Sequence, residues 1–247
     1  MKNSVNYDEI SHIYDDVRHG DVRAIKHFLE EVTVFPEIRI LDIGCGTGNN
    51  TDLVQKITHG QVFGLEPSEG MIRKAIKKND EIIFVSGHGG DIPFENDFFD
   101  FVYMTNVIHF IDDIDRLFGE IQRVLAQGAK CCIMTQSHRQ IENRSTAQFF
   151  PGTTKIDKAR YPDIEEIITT GKRQDLIWVK NTVLQEGEEV VFWTEFLEVI
   201  RKKGYSMLRL ISEGEYQAGL KRLEDAMNAG QVLARDSGLT MVWFAKK

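Results

Sequence analysis

Short apolar runs alternate with amphipathic stretches along most of the chain. Seven runs have the length and the β-branched or aromatic content of buried strands: 38–43, 61–66, 82–85, 98–104, 131–135, 176–184 and 239–244. Between them, apolar residues recur at three- and four-residue spacing, which is the period of an amphipathic helix. Strands that alternate with helices in this way predict an α/β fold, in which a mostly parallel sheet is covered by helices on both faces.

The positions of helices follow from this periodicity and from capping residues. Residues 8–31 are expected to form one or two helices, which Gly20 separates. Ser68 is the expected N-cap of a helix that follows the second strand, and Gly128 is placed to help end a helix over 113–125. Further helices are expected at 50–58, 192–203 and 213–229.

The pattern divides a single domain into four segments. Residues 1–36 form an N-terminal helical cover, and residues 37–136 form the core that carries the motifs described below. Residues 138–175 are predicted to be an inserted cap or lid, because their first part is polar and basic and contains several chain breakers. Residues 176–247 are expected to supply the C-terminal part of the sheet.

Length and composition set limits on this picture. With 247 residues, of which 42% are hydrophobic and 28% charged, the chain is that of an ordinary globular protein. Its net charge of -8 argues against a nucleic acid or an anionic membrane bound on a broad basic face. Three cysteines without C-x-x-C spacing indicate neither disulfides nor a zinc site. Because no apolar run suits a signal peptide or a membrane span, we expect a soluble cytoplasmic protein.

The first strand runs directly into a glycine-rich turn and then into a helix, which is the context of a nucleotide-type site. Gly44, Gly46 and Gly48 allow a sharp turn and a close approach of the backbone to a ligand. The dinucleotide fingerprint G-x-G-x-x-G requires a glycine where this chain has Asn49, and the carboxylate of Asp42 precedes the turn. That negative charge disfavours a pyrophosphate and favours a cationic ligand.

A second acid ends the next strand. Glu66 follows Asp42 at the interval typical of the acid that accepts hydrogen bonds from both ribose hydroxyls in adenosine-binding α/β folds. Together, the glycine-rich turn and the two acids indicate an adenosine ligand that carries a positive charge. A glycine-rich turn beside an unrelated surface glutamate is the alternative interpretation.

Five ordered motifs resemble those of the class I S-adenosylmethionine-dependent methyltransferases, in particular the small-molecule, type 11-like branch. They cover most of residues 7–136, and they are 40–48, 64–71, 92–94 with 98–100, 108–112 and 123–128. The resemblance implies a Rossmann-like, doubly wound sheet of seven mostly parallel strands with an antiparallel last strand. It also implies S-adenosylmethionine as the cofactor and S-adenosylhomocysteine as the product, and no metal site is expected.

The resemblance assigns the methionine and ribose ends of the cofactor site residue by residue. The backbone at Gly44, Cys45 and Gly46 is expected to line the methionine moiety, with Asp42 near its ammonium group. Glu66 is expected to bind the ribose diol.

The adenine end departs from the family pattern. After Pro67, Met71 either packs on the adenine ring or is an ordinary buried helix residue. The family has an aspartate that accepts a hydrogen bond from the adenine amino group, whereas this chain has His88 there. A neutral imidazole nitrogen is able to accept that bond. The N–H of Gly89 is a candidate donor to the ring nitrogen, and Asp91 is a second candidate acceptor.

Two further segments are expected to border the cofactor. Thr105 and Asn106, just after the fourth strand, occupy the edge of the family's pocket on the substrate side. Near the N-terminus, the segment from Tyr14 to Arg18 is similar to a family helix that folds over the cofactor. Tyr14 would then line the pocket and Arg18 would pair with the cofactor carboxylate; ordinary packing and a solvated charge are the alternative.

Substrate and catalytic candidates come from three places in the chain. His109 stands where the family often has a histidine or an aromatic residue, and it is the first choice for positioning the substrate or accepting its proton, with a structural hydrogen bond as the alternative. Tyr14 is the second choice for a base. Arg160, with Arg139 or Arg144, is expected to pair with an acidic group on the substrate unless these side chains are simply solvated.

These residues predict methyl transfer to an O, N, S or C atom of a small molecule. In-line displacement at a sulfonium depends mainly on positioning, so a catalytic base is optional. Two other functions remain open: a nicotinamide-dependent oxidoreductase, against which Asn49 and Asp42 argue, and an S-adenosylmethionine-binding protein without catalysis. No nucleic-acid or membrane partner is expected, and the chain is expected to be a monomer or a homodimer.

Overall fold

A seven-stranded sheet lies at the centre of the protein in the computed structural model, which describes residues 5–191, 194–230 and 232–247. The strands in these ranges are β1 (Arg39–Ile43), β2 (Gln61–Glu66), β3 (Ile83–Ser86), β4 (Phe99–Thr105), β5 (Leu125–Thr135), β6 (Leu176–Leu184), β7 (Glu189–Val191), β8 (Leu233–Arg235) and β9 (Leu239–Lys246). The large sheet has the order β3-β2-β1-β4-β5-β9-β6, and β7 and β8 pair separately in a small sheet that the sequence did not predict.

Strand direction confirms the predicted doubly wound arrangement. The strands β1 to β5 pair in parallel, and β9 is antiparallel to both of its neighbours. The chain runs from β1 outwards to β2 and β3 and then returns to place β4 on the other side of β1. The strand order therefore reverses between β1 and β4, and the crevice at the carboxyl ends of such strands is the usual ligand site of this architecture.

Helices occupy the predicted intervals and the insertion. They are α1 (Tyr7–Val17), α2 (Val22–Leu29), α3 (Asn49–Thr58), α4 (Glu69–Lys78), α5 (Ile114–Val124), α6 (His138–Glu142), α7 (Gly152–Arg160), α8 (Ile164–Arg173), α9 (Thr194–Arg201) and α10 (Glu213–Ala229). Ser68 is the N-cap of α4, as predicted, and its Oγ accepts a hydrogen bond from the Met71 N–H at 3.2 Å. Of the helix predicted over 192–203, residues 192 and 193 lie outside the described ranges. None of the helices within those ranges is long and apolar enough to cross a membrane.

Gly128 does not end α5, contrary to the prediction. The helix ends at Val124, and the buried residue Leu125 already has an extended backbone and pairs with Phe99. Gly128 instead lies inside β5 with φ of 74°, where the register between β4 and β5 shifts. A positive φ costs glycine little, so the residue accommodates an irregularity in a strand that starts earlier than predicted.

Two apolar layers pack on opposite faces of the sheet. Leu41 and Ile43 lie in one layer with residues of α5 and α8, whereas Ile40 lies in the other with residues of α2. The fully buried Ile167 of α8 belongs to the first layer. The last part of the predicted 138–175 insertion is therefore a helix packed on the sheet and not part of a lid.

A third apolar cluster joins α7, α9 and α10 into a cover. It includes Phe150, which precedes α7, Ile200 of α9, Leu208 between α9 and α10, and Leu223 of α10. The predicted C-terminal part of the sheet, 176–247, thus supplies only β6 and β9 to the large sheet, while its helices pack beside α7. We refer to residues 144–160 and 194–227 together as the cover.

Candidate functional site

A cavity of about 830 Å³ opens at the carboxyl ends of β1, β2 and β4 beneath α1 and the cover. Fourteen of the sixteen site residues expected from the sequence line it: Tyr14, Arg18, Gly44, Cys45, Gly46, Glu66, Pro67, Met71, His88, Gly89, Thr105, Asn106, His109 and Arg160. Asp42 and Arg139 do not. The volume lies within the range that is usual for small-molecule and cofactor sites.

The glycine-rich turn forms one wall of the cavity. Gly44 and Gly46 have φ of 74° and 57°, and the Gly44 N–H donates to the Leu65 carbonyl oxygen of β2 at 2.7 Å. A Cβ at Gly44 would lie 2.5 Å from the Val107 side chain, so close packing excludes other residues. A Cβ at Gly46 would meet nothing nearer than the Tyr14 ring at 3.8 Å. The Tyr14 ring therefore lies close to Gly46, and both residues line the cavity.

Glu66 joins this turn to the start of α4. One carboxylate oxygen accepts a hydrogen bond from the Gly46 N–H and the other accepts one from the Ser68 N–H, both at 3.0 Å. Burial raises the pKa of Glu66, while these two backbone donors act in the opposite direction. Each carboxylate oxygen has a second lone pair for a ligand hydroxyl, so the observed bonds leave the predicted acceptor capacity intact.

Asp42 occupies a different position from the one predicted. Its carboxylate lies beneath the turn and is fully buried, and it accepts hydrogen bonds from the Thr51 and Tyr103 hydroxyl groups at 2.8 and 2.9 Å. Its Oδ1 is buried without a hydrogen-bond partner among the described residues. Burial raises the Asp42 pKa to about 7. The side chain therefore supports the turn from below and does not face the ligand space directly.

Asn49, which breaks the dinucleotide pattern, has a structural role. Its side-chain amide donates to the Asp15 carboxylate at 3.1 Å and to the Arg18 carbonyl oxygen at 2.9 Å. Asp15 also accepts from Thr47 in the same turn. Asp15 lies in α1 and Arg18 is its C-cap. Asn49, which departs from the dinucleotide pattern, therefore attaches α1 to the glycine-rich turn.

A second carboxylate attaches the other end of α1. The Asp8 side chain accepts hydrogen bonds from the Ser68 hydroxyl group at 2.7 Å and from the Gly70 N–H at 2.8 Å. These two bonds lower the Asp8 pKa. Since Ser68 also donates its N–H to Glu66, the start of α4 is connected both to the cavity floor and to the helix that covers it.

The proposed adenine end contains His88 in a specific hydrogen-bonding state. The His88 Nδ1 accepts a hydrogen bond from the Gly90 N–H at 3.2 Å. In a neutral ring the proton is then on Nε2, which makes that nitrogen a donor. This arrangement opposes the expectation that His88 accepts a bond from an adenine amino group. Asp91 does not line the cavity, but Asp112 does, and it was not predicted.

His109 also lines the cavity. Its ring stacks on Tyr161 with centroids 4.0 Å apart and also contacts Phe110, and its Nδ1 is buried without a partner in the described part of the chain. Burial, followed by the charges of three nearby arginines, lowers the pKa of His109 well below its ordinary value. The imidazole is therefore neutral and weakly basic at physiological pH.

Two arginines of the cover share one carboxylate beside His109. Arg144 and Arg160 both bind Asp157, and all three residues line the cavity. Arg160 also donates to the Ser206 hydroxyl group at 3.1 Å, and Arg144 donates to the Gln136 side chain at 2.7 Å. Arg160 thus lies where the sequence placed it, in the wall of the site. We refer to Arg144 and Arg160 as the arginine pair.

Arg139 does not line the cavity, contrary to the prediction that it binds the substrate. The capping box between Ser137 and Gln140 fixes the start of α6 and buries Gln140, so Arg139, one position earlier, projects away from the cavity. It is exposed and pairs with Glu186 at 3.2 Å. Its position in sequence near Arg144 did not reveal which face of this short helix it occupies.

Several lining residues were not predicted from the sequence. Tyr7 and Phe110 come from α1 and the segment after β4, whereas Phe196, Tyr205 and Arg209 come from the cover. The Arg18 guanidinium lies 4.4 Å from the centre of the Tyr205 ring, which joins the two ends of the chain across the cavity. No local motif marks these three residues of the cover, because only tertiary packing brings them to the site.

Sequence comparison places a known domain over the first half of the sheet. Residues 41–133 match a family model described as a methyltransferase domain. A demethylmenaquinone methyltransferase of Symbiobacterium thermophilum is 33% identical over 113 residues, which are 42% of this chain and 45% of that protein. The chain therefore spans less than half the length of this curated relative.

Solved structures resemble the chain over nearly its full length. An Anabaena variabilis protein assigned as a methyltransferase from an antibiotic biosynthesis pathway has a TM-score of 0.74 and 19% identity, covering 92% of this chain and 98% of that one. The [4+2]-cyclase SpnF has a TM-score of 0.68 and 16% identity, covering 97% and 93%. At these identities the likeness concerns the fold alone. The sequence match does not support the nicotinamide-dependent alternative.

The buried position of Asp42 predicts an unusual pH dependence of stability. A folded pKa of about 7, against an ordinary 3.8, means that the folded protein binds a proton that the unfolded chain lacks between these pH values. Stability from this group therefore falls as pH rises towards 7 and is constant above it. In the Asp42→Asn variant that loss is absent, so the stability of the variant relative to wild type should rise by roughly 3 kcal/mol from pH 5 to pH 8.

Urea unfolding at pH 5, 6, 7 and 8 measures this difference. The Asp16→Asn variant, which removes an exposed carboxylate from α1, controls for the loss of one negative charge. A stability difference between Asp42→Asn and wild type that is the same at all four pH values would contradict the prediction.

Proposed function

We propose that this chain transfers a methyl group from S-adenosylmethionine to a small molecule that is held in the same cavity. Through its residues 41–133 the chain belongs to the class I S-adenosylmethionine-dependent methyltransferases. The observation that carries the proposal is the position of Glu66, whose carboxylate is fixed by two backbone N–H groups beside an open glycine turn. An adenosyl ligand requires this combination of a ribose acceptor and a close backbone approach.

The residues present fit the cofactor. The space next to Gly46, which a side chain would fill, suits the methionine moiety, and Glu66 suits the ribose diol. Met71 is almost fully buried but still lines the cavity on the adenine side. We also assign Gly89, Thr105 and Asn106 to the cofactor site, because all three line the cavity. Thr105 is held by a hydrogen bond from the Asn50 amide at 3.0 Å.

The basic and aromatic residues of α1 suit the cofactor's terminal carboxylate. Arg18 lines the cavity, and no ion pair forms with its guanidinium within the described ranges. Tyr14 lies between Arg18 and Gly46, and burial raises its pKa. Tyr14 is therefore a neutral hydrogen-bonding group at physiological pH. We assign Arg18 to the carboxylate charge and Tyr14 to positioning.

The bound cofactor supplies a methyl group on a positively charged sulfonium, which is reactive without further activation. The protein then has to hold the acceptor atom in line with that methyl group and exclude water. Such positioning can lower an activation free energy by about 7–11 kcal/mol. His109 lines the same cavity, and its lowered pKa makes it a poor general base. We therefore assign His109 to positioning the acceptor by packing and hydrogen bonding.

The acceptor that suits this site is a small molecule. The cavity lies beneath α1 and the cover, and its volume is within the range of small-molecule sites. The related demethylmenaquinone methyltransferase carries a small-molecule acceptor in its name. We also propose that the protein acts in the cytoplasm, as a monomer or homodimer; its three cysteines are buried free thiols, which suits a reducing compartment.

Cofactor binding without methyl transfer is the second candidate function. It is favoured by one specific observation, since the structurally similar SpnF is named as a cyclase. The two candidates differ in a single measurable product, because only a methyltransferase converts the cofactor to S-adenosylhomocysteine and labels an acceptor.

The His109→Gln variant tests the positioning role. Because general acid–base catalysis contributes about a hundredfold or more, whereas loss of one positioning contact costs less, we expect the rate of labelled-methyl transfer to fall by less than tenfold. Between pH 6 and 8 the wild-type and variant rates should keep a constant ratio. A loss beyond a hundredfold whose size depends on pH would identify His109 as a base.

The function itself is tested by binding and by label transfer. Isothermal titration should show that S-adenosylmethionine binds the wild-type protein and that Glu66→Gln weakens binding at least tenfold, because the amide replaces an acceptor oxygen by a donor facing the ribose. Glu69→Gln, an exposed position on α4, is the matched control and should bind normally.

The same proteins are then incubated with methyl-labelled S-adenosylmethionine and an extract of the source cells. We expect label in the small-molecule fraction with wild type and Glu69→Gln, and little with Glu66→Gln. Binding without any labelled product would support the non-catalytic candidate, and label confined to RNA or protein would overturn the small-molecule acceptor.

A further inference from the structure

We propose that the arginine pair, Arg144 and Arg160, is a subsite for one carboxylate group of the methyl acceptor, and that this group anchors the acceptor without being the atom that is methylated. The inference rests on the proposed function, and it names the chemical class of the acceptor: a small, flat monocarboxylate.

The first observation is a local excess of positive charge. Arg144 and Arg160 share the single carboxylate of Asp157, and the three side chains are 13%, 5% and 1% exposed. Two guanidinium groups against one carboxylate leave a net charge of +1. Burial of an uncompensated charge is costly, and an anionic ligand removes that cost. The charge corresponds to one carboxylate and not to a phosphate dianion.

The second observation is unused hydrogen-bonding capacity in the same group. Arg160 donates to Asp157 and Ser206 through Nε and Nη2, whereas its Nη1 is buried without a partner among the described residues. Buried polar groups almost always have a partner. A guanidinium that lines a cavity and keeps one nitrogen unpaired is suited to a carboxylate, which it recognises in a planar geometry.

The third observation is the shape of the surrounding wall. The Arg144 guanidinium lies over the Tyr161 ring at 5.4 Å and the Arg160 guanidinium over the Phe110 ring at 5.7 Å, and His109 contacts both of these rings. All three aromatic residues line the cavity beside the arginine pair. They suit a flat apolar body attached to the anchored carboxylate.

A separate arginine remains for the cofactor. Arg18 lies on α1 and contacts Tyr205, whereas the arginine pair belongs to the cover and binds Asp157. Two anionic groups, the cofactor carboxylate and the acceptor carboxylate, therefore have two distinct cationic positions in one cavity.

The charge also decides which atom reacts. Methylation of a carboxylate oxygen converts an anion into a neutral ester, so the arginines would stabilise the starting carboxylate more than the transition state and would slow the reaction. A carboxylate held by the arginine pair is therefore an anchor. The nucleophilic atom lies elsewhere on the acceptor, nearer to the glycine-rich turn.

The same charge couples the two ligands. A sulfonium placed in a cavity with an uncompensated arginine is repelled, and an acceptor carboxylate removes that repulsion. The carboxylate should thus tighten binding of S-adenosylmethionine more than binding of S-adenosylhomocysteine, whose sulfur is uncharged. Coupling between two ligands is reciprocal, so either can be titrated.

Calorimetric titration with benzoate as the probe tests the inference. With S-adenosylhomocysteine bound, so that Arg18 is occupied, we expect benzoate to bind at least tenfold more tightly than its neutral isostere benzamide and more tightly than phenyl phosphate. Saturating benzoate should tighten S-adenosylmethionine binding at least threefold and S-adenosylhomocysteine binding less. Equal affinity for benzoate and benzamide, or a preference for phenyl phosphate, would overturn the subsite.

Variants at the arginine pair test whether these two residues cause the preference for benzoate over benzamide. Arg160→Gln and Arg144→Gln should each lose the preference for benzoate, while Arg139→Gln, an exposed arginine outside the cavity, should keep it. Thermal unfolding verifies that the variants are folded, and the comparison of benzoate with benzamide in wild type stands without them. A preference that survives in both folded variants would overturn the assignment. Wild-type protein that binds neither cofactor form would instead overturn the proposed function.

Discussion

The carboxylate of Glu66 is the interaction on which the rest of the site depends. It accepts a hydrogen bond from the glycine-rich turn after β1 and another from the start of α4 after β2, so two loops at neighbouring strand ends are fixed by one side chain. Because β1 and β2 are parallel and in register from Arg39 to Ile43, both loops emerge at the same edge of the sheet. The cavity floor is therefore rigid, and its geometry is set by the sheet.

The walls above this floor come from distant parts of the chain. Asp8 and Asp15 attach α1 to α4 and to the glycine-rich turn, so the helix that covers the cofactor space is held by the elements that form the floor. The acceptor side is built by the cover, where Arg144 and Arg160 converge on Asp157. The proposed cofactor end is thus fixed by backbone geometry, whereas the proposed acceptor end is built from long side chains of a different part of the chain.

Local signals predicted the floor well and the walls poorly. The glycine-rich turn, Glu66 and the Ser68 cap depend on short-range geometry, and the structure has them where the sequence indicated. Asp42 was expected near the cofactor ammonium, but it lies beneath the turn and does not line the cavity, because the pattern does not show on which side of the turn its carboxylate lies. Arg139 and Arg144 are equally basic in sequence, yet only tertiary packing decides which enters the cavity. The cover residues that the sequence did not predict, such as Tyr205, have no local signature.

A crystal structure of the protein with bound S-adenosylhomocysteine tests the central claim most directly. We predict that both ribose hydroxyl groups bind the Glu66 carboxylate while the methionine moiety lies against the backbone of Gly44 and Gly46. An adenosyl ligand bound elsewhere, or bound in the cavity without contact to Glu66, would contradict the account.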